Sequence, residues 1–188
     1  MTTPATHPRA TIIHGYGATP KDHWFPWLAQ RLEEHGVPTT VPALPDTDNP
    51  DPDRWTAAAG AAIGTPDAHT TVVAHSLGCL TVLRHLSTLR GEWRLGTLVL
   101  VSGFVTPLPA IPELDSYIAG GCDPTPLPAH IDRLTLLRSD ADPLVPTPHT
   151  DRLAALLGTT ARVVPGAGHF LADDGVTELP EALDANPR

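Results

Sequence analysis

Residues 70–83, TTVVAHSLGCLTVL, constrain the fold more than any other stretch. A short apolar run at residues 72–74 passes through His75-Ser76-Leu77-Gly78 into residues that favour helix. That order predicts a strand, a one-residue corner at Ser76, and a helix. Small residues at Ala74 and Gly78 let the strand and helix close tightly around the corner and leave Ser76 at the strand tip. The pattern is the nucleophile elbow, G-x-S-x-G, with Ala74 in place of the first glycine. A serine hydroxyl is a weak nucleophile until a neighbouring base takes its proton. An elbow therefore requires a histidine base, a carboxylate to hold that base, and donors for an oxyanion.

The fold class follows from alternation along the chain. Apolar runs at residues 10–14, 37–41, 72–74, 97–101, 134–137 and 162–164 read as strands. Helical patterns fall between or after them, at 21–35, 54–63, 77 to about 90, 147–157 and 180–185. Several of the strand runs are almost continuously apolar, as strands buried on both faces are. We expect an α/β three-layer sandwich: about six strands in a mostly parallel sheet, with helices on both faces. A length of 188 residues suits one domain, 1–188, with residues 1–9 as a flexible tail. Functional groups of such sheets gather at the carboxyl ends of the strands. Ser76, the loop opening at His14, the Asp140–Asp142 loop and His169 all follow predicted strands.

On this fold the partners of an elbow serine follow in the order acid, then histidine. Asp142, in Asp142-Pro143-Leu144-Val145-Pro146, and His169, in Gly166-Ala167-Gly168-His169, meet that order. Asp140 is the rival acid. Asp142 is preferred because it lies further from the strand end, where the loop can turn towards His169. The oxyanion donors are expected at the backbone N–H groups of Leu77, after the nucleophile, and Tyr16, in His14-Gly15-Tyr16-Gly17. His14, Gly15, Trp24, Phe104, Leu108, Ile111 and Phe170 are the expected substrate-pocket residues. Strand alternation points His75 away from the site. His14 also reads as an anchor for its loop, and the remaining histidines as solvated or half-buried.

Other chemistries are disfavoured. The Gly15–Gly17 loop matches neither phosphate-binding glycine pattern. The acidic stretch at 46–51 lacks the glycine and the glutamate of a calcium loop and reads as a solvated turn. Cys79 and Cys122 have no metal-ligand spacing, so no metal and no cofactor are expected. A formal net charge of −9 argues against nucleic acid and against an anionic membrane surface. The first ten residues carry no apolar core of a signal peptide, and no apolar run is long enough to span a membrane. We expect a cytoplasmic protein acting on a small-molecule acyl substrate, with no protein partner inferred.

The elbow, the His14-Gly15-Tyr16-Gly17 loop, the segment His23-Trp24-Phe25-Pro26-Trp27-Leu28, residues 139–146 and Gly166-Ala167-Gly168-His169-Phe170 resemble the α/β-hydrolase superfamily. More narrowly, they resemble the small serine hydrolases of the retinoblastoma-binding-protein-nine (YdeN-like) family. The resemblance implies a compact hydrolase without a large cap domain and a triad at Ser76, Asp142 and His169. It implies cleavage of a small ester, thioester or amide, with carboxylesterase activity as the first assay. Transfer of the acyl group to another nucleophile, as an acyltransferase or cyclase, is the second reading. A non-catalytic interaction module is the third. Residues 103–130, rich in proline, sit where this fold commonly inserts a lid, and a lid-like connection is expected there. The retinoblastoma-binding motif is broken at Leu77-Gly78-Cys79-Leu80-Thr81, which lacks its glutamate.

Overall fold

The computed structural model describes residues 7–186. The expected flexible tail falls mostly outside them, and its last residue, Arg9, already belongs to the first strand. The elements run β1 (Arg9–Ile13), α1 (Phe25–Glu34), β2 (Thr39–Thr40), α2 (Pro52–Ile63), β3 (Thr70–His75) and α3 (Leu77–Thr88). They continue as β4 (Leu95–Val101), α4 (Asp115–Ile118), β5 (Ile131–Ser139), α5 (Thr147–Leu156), β6 (Arg162–Val164) and α6 (Pro180–Asp184).

The six strands form one sheet in the order β2-β1-β3-β4-β5-β6, every pair parallel. The chain moves one way from β1 to β2 and the other way from β2 onwards. Right-handed crossovers then place α1 on one face and α2, α3 and α5 on the other. The core divides accordingly. Val73, Val99, Val101 and Leu137 pack with Phe25, Leu28 and Leu32 of α1 and Ala182 of α6. Val72, Ala74, Leu98, Leu100 and Leu136 pack with Trp55, Leu80, Leu83 and Leu153 on the opposite face. Alternation along each strand thus feeds two apolar layers, which is why β3 and β4 are buried at every position. The reversal in strand order lies between β1 and β3. A parallel sheet opens a crevice at such a point, outside the carboxyl ends of its strands.

Most elements shift at their ends by one or two residues from the sequence reading, and α1 and β5 shift by more. α1 begins at Phe25 rather than residue 21, because His23 takes a left-handed φ of 54° that no helix contains. β5 is nine residues long rather than four. Its first half carries Asp132 and Arg133, both exposed, and these polar residues hide the strand from a search for apolar runs.

Residues 103–130 are packed, not loose. Phe104, Val105, Leu108, Leu114, Tyr117, Ile118 and Leu127 are buried in the core layer above α3. The Arg84 guanidinium of α3 donates to the carbonyls of Tyr117, Gly121, Ile118 and Ala119. It also lies 5.4 Å from the centre of the Tyr117 ring. The Tyr117 and Thr81 hydroxyls share a 2.7 Å hydrogen bond. Burial pushes the Tyr117 phenol up to about 12, so it stays protonated. Among the described residues no helix is long and apolar enough to cross a membrane.

Candidate active site

Ser76 has φ 54° and ψ −123°, a backbone state that residues with a side chain rarely adopt. It is held between a buried strand and a buried helix. The Ser76 N–H donates to the Val101 carbonyl at 2.9 Å. Gly78 shows why the corner needs a small residue two positions on. A Cβ there would lie 2.5 Å from the His14 carbonyl and 2.7 Å from that of Ile13. α3 therefore rests directly on the backbone of β1. Ala74 is fully buried in the elbow strand, so its methyl fits where the general pattern has glycine. Cys79 lies beneath the corner, and burial pushes its thiol up, leaving it an inert packing group.

His169 reaches Ser76 from the far side of β4. Its Nδ1 lies 2.8 Å from Asp142 Oδ2 and 3.1 Å from Oδ1, and its Nε2 lies 2.9 Å from Ser76 Oγ. An ionised carboxylate can only accept, so Nδ1 carries the proton and the Nε2 lone pair faces the serine hydroxyl. Burial works against the Asp142 charge. The His169 contact, the Val145 N–H and the Ser102 hydroxyl outweigh it and hold the carboxyl below its ordinary range. Its Oδ1 accepts from the Leu144 and Val145 N–H groups at 2.9 Å each. Asp140 does different work. It is exposed and accepts the Gly166 N–H at 2.7 Å, tying the two loops together behind the acid.

The loop after β1 lies across the strand reversal from the elbow. A Cβ on Gly15 would come within 3.1 Å of Ser76 Cβ and 3.6 Å of the Leu77 nitrogen. His14 holds this loop from below. Its Nε2 accepts from the Leu44 N–H at 3.1 Å, so Nδ1–H donates to the Gly15 carbonyl at 3.0 Å. Fixing that carbonyl fixes the Gly15–Tyr16 peptide and aims the Tyr16 N–H the opposite way. The Leu77 N–H opens α3, where the first amides have no intrahelical partner. Burial pulls the His14 imidazole down and keeps it neutral.

A chamber of about 80 Å³ surrounds Ser76 and His169. Gly15, Tyr16, Ala18, His23, His75, Ile111, Leu144 and Leu171 complete its wall. Of the expected pocket residues, Gly15 and Ile111 line it. His14 stands behind the Gly15 loop instead. Trp24, Phe104, Leu108 and Phe170 are buried in the core, because burying a large apolar side chain is more favourable than leaving it at a wet opening. Trp24 backs His75, the ring centres 6.0 Å apart. A larger hollow of about 370 Å³ opens beside Thr70, Thr97 and Arg133, at the other end of the strands.

Four contributors escaped the sequence reading. His75 does not point away from the site. Its Nε2–H donates to the His169 carbonyl at 2.9 Å, and the two rings lie 4.9 Å apart. Burial drives its pKa well down, so it remains neutral. Ser102, with φ 49°, donates its hydroxyl to Asp142 Oδ2 at 2.8 Å. Asp174 Oδ2 accepts the His169 N–H at 2.8 Å, and a side chain on Gly168 would run into that carboxylate. His23 Nδ1 accepts from the Ala172 N–H at 3.0 Å, which turns its ring into the chamber wall. Only one local signal marked any of them: His75 and Ser102 each stand at the end of a strongly apolar run.

Known proteins resemble the chain in sequence and in fold. The pattern of the serine hydrolase family matches residues 10–185. YdeN of Bacillus subtilis is 36% identical over 173 residues, covering 92% of this chain and 91% of the relative. The crystal structure of the ydeN gene product of B. subtilis superposes with a TM-score of 0.89, at 35% identity, over 94% of this chain and 95% of that one. Est1E of Butyrivibrio proteoclasticus shares the fold, with a TM-score of 0.66 at 14% identity, over 97% of this chain and 89% of its own. With the elbow, the parallel sheet and these relatives together, the chain belongs to the serine hydrolase family of α/β-hydrolase fold.

Proposed function

We propose that the protein hydrolyses a small ester, thioester or amide through an acyl intermediate on Ser76, with esters the first class to assay. One observation carries this reading: the unbroken chain from Asp142 through His169 to Ser76 Oγ, with contacts of 2.8 Å and 2.9 Å. In this reading Ser76 Oγ attacks the substrate carbonyl while its proton passes to His169 Nε2. The carbonyl oxygen takes up the negative charge and is met by the Tyr16 and Leu77 N–H groups. Asp142 holds the imidazole in its tautomer and stabilises the cation. The intermediate collapses, the bond to the leaving group breaks, and the leaving group departs with the His169 proton. Water then repeats the sequence: it gives a proton to His169, attacks the acyl carbon, and releases Ser76 and a carboxylic acid. The protein acts in the cytoplasm on a small molecule, and no step calls for a cofactor.

A fluorophosphonate probe tests the reading directly. The wild type is expected to label on a single serine and to release p-nitrophenol from p-nitrophenyl acetate, and Ser76→Ala to do neither. Equal labelling of wild type and Ser76→Ala would overturn it.

A further inference from the structure

The dimensions of the chamber carry the hydrolase reading a step further. Sites for drug-sized ligands typically enclose roughly 300–1,000 Å³. The space at Ser76 is about 80 Å³. That lies well below the usual range, so the chamber suits a small group. Ile111 and Leu144 supply large apolar side chains to its wall. Ile111 comes from the clamped connection 103–130 and is itself buried, so it forms a floor that cannot swing aside freely. Leu144 comes from the turn that presents Asp142, its own N–H bonded to Asp142 Oδ1 at 2.9 Å. Both backbones are therefore held by contacts that serve other purposes. Ala18, also buried, closes the wall near the Gly15 loop. Partly exposed Tyr16, His23, Leu144 and Leu171 border its opening.

We propose that the enzyme takes short acyl groups, of about two to four carbons, and that Ile111 and Leu144 set the limit. An acyl carbonyl must touch Ser76 and the oxyanion donors, so the acyl chain enters this chamber while the leaving group faces the mouth. A longer chain must displace Ile111 or Leu144, and overpacking a close-fitted wall is costly. One methylene in an apolar pocket is worth roughly 10- to 200-fold in discrimination. The proposal rests on the hydrolase reading, and the experiment separates the two.

The experiment measures kcat/KM for p-nitrophenyl acetate, butyrate, hexanoate and octanoate, with fluorophosphonate labelling in parallel. The wild type is expected to lose at least about tenfold between butyrate and octanoate. Ile111→Ala and Leu144→Ala should each raise the octanoate-to-acetate ratio by about tenfold or more. Leu108→Ala, which loosens the same connection away from the chamber, should leave the ratio at its wild-type value. If Ser76 labels and the wild type cleaves octanoate as fast as acetate, the size limit is wrong and the hydrolase reading stands. The size limit is equally wrong if neither wall variant moves the ratio. If Ser76 takes no label and no ester is cleaved at any length, both fall together.

Discussion

The carboxyl rim of the sheet and its interior are built on opposite terms. In the interior, β3 and β4 are regular and fully buried, and each residue serves one of two apolar layers. At the rim, regular backbone gives way. The described residues include five non-glycine positions with a left-handed φ: His23, Asp46, Ser76, Ser102 and Phe170. Each of them follows the end of a strand, in the connections after β1, β2, β3, β4 and β6 respectively. Such a conformation costs on the order of 1–3 kcal/mol per residue. Three of the five, His23, Ser76 and Ser102, place a polar side chain against the chamber, the histidine or the acid. The sheet thus supplies stability and the rim spends part of it on geometry.

The largest effect that tests this division is at Ser76. Replacing it with glycine removes the hydroxyl and relaxes the corner. Hydrolysis is expected to fall by about 10⁴-fold or more. The urea midpoint of Ser76→Gly should rise, by the equivalent of about 1 kcal/mol. A lower midpoint would show that the corner is not strained at the expense of stability. Next come the two acids. Asp142→Asn should lower kcat by about 10⁴-fold, because the amide no longer holds His169 in the right tautomer. Asp140→Asn should leave turnover close to native. Equal losses in the two variants would break the assignment that the 2.8 Å contact supports.

An interior substitution should show the reverse pattern. Leu98 is fully buried in β4, and Leu98→Ala should cost about 2–5 kcal/mol in chemical denaturation. Its kcat at low temperature should remain native. If kcat falls in step with stability, rim and interior are more tightly coupled than their packing indicates.

The smallest effect is pH-dependent. Burial holds His75 neutral well below its ordinary value of 6.5. On acidification the unfolded chain gains a proton at this residue that the folded chain refuses, so stability is lost as pH falls below 6.5. The loss grows as the pH falls from 7 towards 5. Asp142, whose carboxyl is shifted down, contributes stability above its ordinary value of 3.8 and begins to lose it only below that pH. Urea midpoints at pH 7 and pH 5 check the histidine contribution, and His75→Asn should reduce the difference.

Interior and rim also differ in how much of each the residues disclosed. The layered sheet was readable because two-sided burial leaves near-continuous apolar runs, whereas α2 was expected only from residue 54 although Asp51 caps it and Pro52 opens it. Ser76, Asp142 and His169 were each marked by local patterns at a strand end, and the structure brings the three side chains within hydrogen-bond reach. The supporting bonds from His75, Ser102 and Asp174 join residues from different loops, and no local pattern records a through-space pairing. Gly15 and Ile111 line the chamber as expected, but other expected pocket residues do not. Phe104 and Leu108 of the connection 103–130, and Phe170 beside His169, pack inward, where large apolar groups are best placed.

The Arg84 clamp has a consequence for the lifetime of the chain. Backbone that is tied by hydrogen bonds is cut by a protease only as often as those bonds open. Residues 103–130 look like easy prey, with their many prolines and little regular structure. Yet four of their carbonyls are held by one guanidinium that belongs to the elbow helix. In a limited digest this segment should survive as long as α3 does, and the appearance of its first cleavage product becomes a clock for the opening of the elbow itself.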